Sequence, residues 1–134
     1  MERWDAPFPI IAFIWWPLCI YSGWIAVATI ANVSAFLVSI QWLALFSAIN
    51  WTVIMILVAV ALNLLMIRLR NMREFAAVGV WALIAIALRH WDDIKLIQWT
   101  ALFGALVLFI ALSVHAYINR STNPLIKFRE YYKK

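Results

Sequence analysis

The sequence contains no Asp, Glu, Lys or Arg between Asp5 and Arg68, a stretch of 62 consecutive positions. A transmembrane helix needs about 20 mainly apolar residues to cross the hydrocarbon core, so this stretch has room for two crossings. Over the whole chain of 134 residues only 13% are charged, about half the share expected of a soluble domain. Such a chain cannot cover a water-exposed surface with charge. The sequence therefore predicts an all-α integral membrane protein.

Breaks in the apolar sequence divide it into a bundle of four predicted transmembrane helices within a single domain. The predicted spans are about 9–37, 50–67, 75–90 and 96–118, and a basic interfacial tail follows over 119–134. The connection 38–49 is ambiguous, because Ser39, Gln41 and Ser47 interrupt an apolar stretch too short to cross comfortably. We interpret it as an interfacial connection. If it crossed the membrane, the bundle would have five helices.

The basic residues predict an orientation, because cytoplasmic loops carry an excess of Lys and Arg. With four spans, one side of the membrane receives nine of the eleven basic residues. Those nine are Arg3, Arg68, Arg70, Arg73, Arg120, Lys127, Arg129, Lys133 and Lys134. The other side receives Arg89 and Lys95, whereas five spans would give eight against three. We expect both termini in the cytoplasm and the basic tail on anionic lipid heads.

Several classes of function are disfavoured by the same pattern. The basic clusters at the ends of apolar spans are typical of membrane topology rather than of nucleic-acid binding. One cysteine, Cys19, builds neither a disulfide framework nor a cysteine metal cage. His90 and His115 are expected at different membrane depths, so no shared metal site is predicted. Asp92 and Asp93 lie beside basic residues and form a solvated charge cluster rather than an acid–base pair. We expect a non-enzymatic protein.

Trp4 precedes the first predicted span, and the other eight of the nine tryptophans fall into two groups. Trp42, Trp51, Trp91 and Trp99 lie near the two predicted outer connections, where indole rings form an aromatic belt. Others lie deeper in the spans and are not explained by such a belt. The deeper ones are Trp15, Trp16, Trp24 and Trp81.

The first span carries the densest group of small and polar residues. Trp24, Ala28, Ala31 and Asn32 are spaced i, i+4, i+7 and i+8, and Tyr21 comes three residues earlier, so all five share one helical stripe. The stripe combines a large ring, small residues that leave space beside it, and an amide that orients a ligand. The other interpretation is a close helix–helix contact in which Asn32 bonds to a neighbouring backbone.

The stretch from Tyr21 to Asn32 resembles the last helix of the TspO/MBR family, the tryptophan-rich sensory proteins related to the mitochondrial translocator protein. That helix follows the pattern Tyr-x-x-Trp-x-x-x-Ala-Thr-x-x-Asn, which Tyr21, Trp24, Ala28, Thr29 and Asn32 fit. Residues 15–17 and 80–87 also resemble the long bacterial members. The family's N-terminal motifs have no counterpart here, so the resemblance implies the C-terminal half of a long member.

The resemblance also implies a function. Family members enclose an apolar pocket that binds porphyrins, sterols or similar flat hydrophobic molecules. By resemblance, Trp24, Ala28 and Asn32 are expected to be pocket residues, together with Tyr21 and Ala31. No cofactor is expected, and a porphyrin or other tetrapyrrole is the expected ligand. The expected location is the bacterial inner membrane.

The alternative function is that of a structural or assembly subunit of a membrane complex. Gly23, Gly79 and Gly104 all lie within predicted spans, as close helix packing requires. Under this alternative the small-residue face packs against a second copy of the chain or against partner helices.

Overall fold

The computed structural model describes residues 7–40 and 47–119. Over these two ranges the chain forms four helices and no strand. The helices are α1 (Phe8–Ser39), α2 (Ala48–Arg70), α3 (Arg73–Arg89) and α4 (Lys95–Ile118). The predicted all-α bundle is confirmed. The predictions for Arg3, for Trp42 and for the basic tail from residue 120 onward concern residues outside the described ranges.

Helix α1 begins irregularly because of its prolines. Pro7 caps its first turn, where a missing N–H leaves no hydrogen bond unmade. Pro17 has no N–H for the carbonyl four residues earlier, and its ring would clash with that carbonyl. The chain responds with a π-helical turn at Ile11–Trp15, in which the N–H of Trp16 donates to the carbonyl of Ile11. The edge of Trp16 also packs against the ring of Phe8, with the centroids 6.4 Å apart.

Short connections make α2, α3 and α4 sequential neighbours. Helix α2 begins at Ser47, whose Oγ accepts a hydrogen bond from the N–H of Asn50, and ends at Asn71, which has a left-handed φ of 54°. Only Asn71 and Met72 separate α2 from α3. Between α3 and α4, Asp92 has a left-handed φ of 61° and pairs with Lys95.

The main core lies among α2, α3 and α4. Its buried members are small or aliphatic: Ile56, Leu83, Ala87, Ile97, Ala101, Ala105 and Leu108. Helix α1 lies against this unit mainly through α3. A second cluster, Cys19, Met72 and Phe75, joins α1 to the start of α3. The fold is thus a packed three-helix unit with α1 attached along one side.

Three of the helices, α1, α2 and α4, are long and apolar enough to cross a membrane. Helix α3 has 17 residues, a length of about 25 Å, slightly less than the hydrocarbon thickness of about 30 Å. Arg73 and Arg89 stand at its two ends. Long arginine side chains reach the interface from such positions, so a helix of this length fits between its neighbours in a membrane.

Candidate functional site

The candidate site is organised by the contact between α1 and α3. A Cβ added at Gly23 would lie 3.1 Å from Val78 Cβ and 3.2 Å from the carbonyl oxygen of Phe75. The two backbones therefore approach closely at this point, as small residues allow in membrane helices. A concave surface lies on each side of this contact.

On one side is a cavity of about 320 Å³ between α1, α2 and α3, partly open to the surroundings. This volume is near the lower end of the range of ligand pockets. The described residues that line it are mostly aliphatic or small: Val27, Ile30, Ala31, Ser34, Ala35, Thr52, Met55, Ile56, Ala59, Asn63, Gly79, Ala82, Leu83, Ile86 and His90.

Asn63 supplies the buried polar group of this cavity. Its side chain is 3% exposed. Its Nδ2 donates to the carbonyl oxygen of Ala59 at 2.8 Å, while its Oδ1 accepts no hydrogen bond from the described residues. The carboxamide lies against Gly79, where an added Cβ would be 2.6 Å from Asn63 Cγ. Only glycine leaves room for the Asn63 side chain at this position.

His90 lies at the far end of the same cavity, where α3 ends. Its Nδ1 is buried and accepts or donates no hydrogen bond among the described residues, but it lies 3.7 Å from a carboxylate oxygen of the exposed Asp93. Gly79 and His90 are eleven positions apart on one helix, a rise of about 16 Å. The cavity therefore extends along α3 over about this length, from Gly79 and Asn63 to His90.

On the other side of the α1–α3 contact is a shallower groove of about 360 Å³. It is lined by Ile20, Trp24, Glu74, Ala77, Val78 and Trp81. Trp24 is 50% exposed and Trp81 is 64% exposed. Two indole rings from different helices thus border one open surface, and both present area that neither helix covers.

The structure distributes the five predicted site residues over different surfaces. Trp24 lines the groove, whereas Ala31 lines the cavity. Tyr21, Ala28 and Asn32 are exposed on α1 and line neither. The predicted stripe does exist as one face, but most of that face is turned away from the other helices. Their role as ligand-binding residues stays a prediction.

The threonine hydroxyls of the described spans are satisfied locally, whereas the buried Oε1 of Gln98 accepts no hydrogen bond from the described residues. The hydroxyls of Thr29, Thr52 and Thr100 each donate to the carbonyl four residues earlier, at 2.7–2.9 Å. Such bonds remove the need for an external partner. His115 Nε2 lies 3.2 Å from Asn119 Nδ2. Among the described residues no group of three or more His, Cys, Asp or Glu side chains is arranged to hold a metal ion.

Of the described residues that line the cavity, Ala31 alone was among the predicted site residues. Asn63 makes no interhelical hydrogen bond with a described residue, since its amide donates within α2 and its carboxamide contacts Gly79 of α3 without a hydrogen bond. The signal for its position was a lone Asn in one span and a glycine in the next. Sequence spacing alone does not show that Asn63 and Gly79 meet.

Packed apolar helices, three of them long enough to cross a membrane, define this chain as a helical-bundle membrane protein. Residues 1–114 match the family model described as TSPO-like protein, and the chain belongs to that family. The match includes the motif of α1 and nearly all of α2 to α4. No curated protein and no solved structure matches the chain.

Proposed function

We infer that the protein is a non-enzymatic receptor that binds a flat hydrophobic molecule, such as a porphyrin, at the Trp24–Trp81 groove within the membrane. One observation carries this proposal: two half-exposed indole rings on different helices border a single groove. Flat π-systems stack on indole faces, which gives attraction beyond the area they bury. Membership of the TSPO-like family supports a ligand of this kind.

The groove suits a flat ring better than the cavity does. A wide macrocycle needs a site open on one side, and the groove is the more open of the two. Among the described residues that line the cavity there is no Phe, Tyr or Trp. Tyr21 and Ala28 are exposed on α1 three residues before and four residues after Trp24, so they extend the groove along the helix. Asn32, one turn further, is a partner for a polar group at the edge of the ligand.

We further propose how the protein is oriented in the membrane and what it contacts there. The excess of nine basic residues over two on opposite sides supports an orientation with both termini in the cytoplasm of a bacterial cell. The basic tail then contacts anionic lipid heads. When no ligand is bound, the exposed face of α1 that carries Ala28 and Asn32 is available for a second copy of the chain.

Porphyrin titration in lipid nanodiscs tests the binding site. We expect saturable quenching of tryptophan fluorescence and a saturable change in porphyrin absorbance in the wild-type protein. Trp24→Ala and Trp81→Ala should each weaken binding by about tenfold, because each removes one stacking face. Trp24→Phe should retain most of the affinity, since it keeps a ring.

Trp99→Ala is the matched control, because Trp99 is 66% exposed on α4 and lies outside the groove. It should bind porphyrin like the wild type. The absorbance change is compared between variants, because it does not depend on the number of tryptophans left. Equal affinity in Trp24→Ala, Trp81→Ala and Trp99→Ala, or no saturable binding by the wild type, would rule out the groove as the site.

A further inference from the structure

The described residues that line the Trp24–Trp81 groove include one charged side chain, Glu74, which the stacking of a flat ring does not use. Glu74 is partly exposed and lies in the first turn of α3. It forms no ion pair with any other described residue. Its carboxylate is therefore a negative group beside two indole rings, and no described side chain neutralises it by contact.

Helical spacing places Glu74 on the same wall of the groove as Trp81. This wall is formed by Glu74, Ala77, Val78 and Trp81, which are spaced i, i+3, i+4 and i+7 on α3 and so share one face. Trp24 borders the groove from α1. Trp81 comes two turns after Glu74, a rise of about 10 Å. Ala77, between them, is small and exposed, so it leaves the surface between the carboxylate and the indole open.

The charges around Glu74 show how the groove lies in the membrane. Arg68, Arg70, Arg73 and Glu74 gather around the connection between α2 and α3, and such charges mark a membrane interface. The Glu74 end of the groove is thus interfacial, whereas the Trp81 end reaches into the apolar layer. Arg73 precedes Glu74, but consecutive residues point about 100° apart around a helix, and the groove is lined by Glu74 and not by Arg73.

A carboxylate beside indole faces favours a cation. The face of an indole ring attracts a positive group held within about 6 Å of its centre, and aromatic side chains recognise ammonium ligands in this way. The Glu74 carboxylate attracts the same group, and it repels a ligand carboxylate. A neutral ring would stack equally well but would leave the charge of Glu74 unused.

We propose that the groove selects a flat aromatic molecule with a positive group, such as an ammonium, on one edge, and that Glu74 determines this selectivity. The ring stacks on Trp24 and Trp81, and the ammonium lies beside the Glu74 carboxylate at the membrane interface. This inference rests on the proposed function, because it specifies the charge of the ligand that the same groove binds. Glu74 also stabilises the start of α3 as an acidic residue at a helix N-terminus, a role that is independent of any ligand.

Three pyrene probes with one shared ring system test the selectivity. They are the cation pyrenylmethyl-trimethylammonium, the neutral pyrenemethanol and the anion pyrenecarboxylate. The protein is placed in nanodiscs of phosphatidylcholine, which has no net charge, and the saturable part of the energy transfer from tryptophan to pyrene is measured at neutral pH. Each probe is compared with itself between variants, so its partition into lipid cancels.

Glu74→Gln should change the three affinities in different directions. It should weaken binding of the cation by about fivefold, strengthen binding of the anion by about twofold, and change that of pyrenemethanol by less than about twofold. Glu74→Asp keeps the charge and should keep most of the preference for the cation. Asp93→Asn is the matched control, because it removes the same charge from an exposed residue outside the groove, beyond the other end of α3. It should bind all three probes like the wild type.

Pyrenemethanol binding reports whether each variant retains an intact groove. If Glu74→Gln loses it, the wild-type affinities decide, each divided by the partition of that probe into protein-free nanodiscs: the expected order is cation, then alcohol, then anion. Saturable pyrenemethanol binding without this order, or an equal effect of Glu74→Gln and Asp93→Asn on the cation, overturns the selectivity and leaves the proposed function standing. No saturable binding of any probe by the wild type overturns both.

Discussion

Helices α1 and α3 differ in how many of their residues are buried, and hydropathy does not reveal this difference. Helix α1 is 32 residues long and buries only Ile11, Cys19 and Gly23. Helix α3 is 17 residues long and buries seven, most of them small or aliphatic. The seven are Phe75, Ala76, Val78, Gly79, Ala82, Leu83 and Ala87. The longest apolar helix is therefore peripheral, and the shortest is central. In a membrane, the apolar length of a helix marks only the crossing. The small residues of α1 do not make it the packed helix either, since only Cys19 and Gly23 of them are buried.

Among variants that compare α3 with α1, Gly79→Ala should cause the largest loss of folding free energy. Its Cβ would meet the carboxamide of Asn63 at 2.6–2.7 Å, and overpacking of a close contact costs about 2 kcal/mol. Gly23→Ala on α1 meets Val78 and the carbonyl of Phe75 at 3.1–3.2 Å and should cost about 1 kcal/mol or less. Unfolding in mixed micelles, followed by circular dichroism, measures both. An equal loss in the two variants would contradict a central role for α3.

Truncating one leucine on each of these helices should give the next largest difference in the free energy of unfolding. Leu83 on α3 is 2% exposed, whereas Leu18 on α1 is 50% exposed. Leu83→Ala loses packing contacts and leaves a void, which we expect to lower the free energy of unfolding by about 1.5 kcal/mol. Leu18→Ala should change it by less than about 0.5 kcal/mol. Unfolding in mixed micelles again measures both. If Leu18→Ala lowered the free energy of unfolding as much as Leu83→Ala, the outward face of α1 would be covered in the membrane.

Asn32→Leu should show the smallest change in folding free energy. Asn32 is exposed on α1 and makes no hydrogen bond with any described residue, so we expect a change within about 0.5 kcal/mol. If its amide joins two copies of the chain, the substitution should instead shift the protein from dimer to monomer. Light scattering of the detergent-solubilised protein measures the mass. A monomeric wild type would contradict self-association through this face.

The positions of the helices were predictable because their signals are local. Charged residues bound the apolar stretches, and Asn71 and Asp92 adopt the left-handed backbone that Asn and Asp tolerate in tight connections. The three-residue and four-residue spacing of Tyr21, Trp24 and Ala28 also correctly predicted one shared face of α1.

The direction of that face could not be predicted, because lipid and protein interior are equally apolar. In a soluble helix, polar residues identify the solvent side. Here Asn32 faces outward while Asn63 is buried, so the same residue type stands on both kinds of surface. The contact of Asn63 with Gly79 depends on how α2 and α3 pack, and no spacing within either helix encodes it.

The two-residue connection between α2 and α3 has a consequence for biosynthesis. Helix α3 is short, and its ends carry Arg73, Glu74 and Arg89, so it is a poor candidate to enter a bilayer alone. Helix α2 is longer and strongly apolar. Only Asn71 and Met72 lie between them, so we expect the two to insert as one helical hairpin. We expect α2 to carry α3 into the membrane, so that the central helix of the bundle depends on its neighbour for insertion.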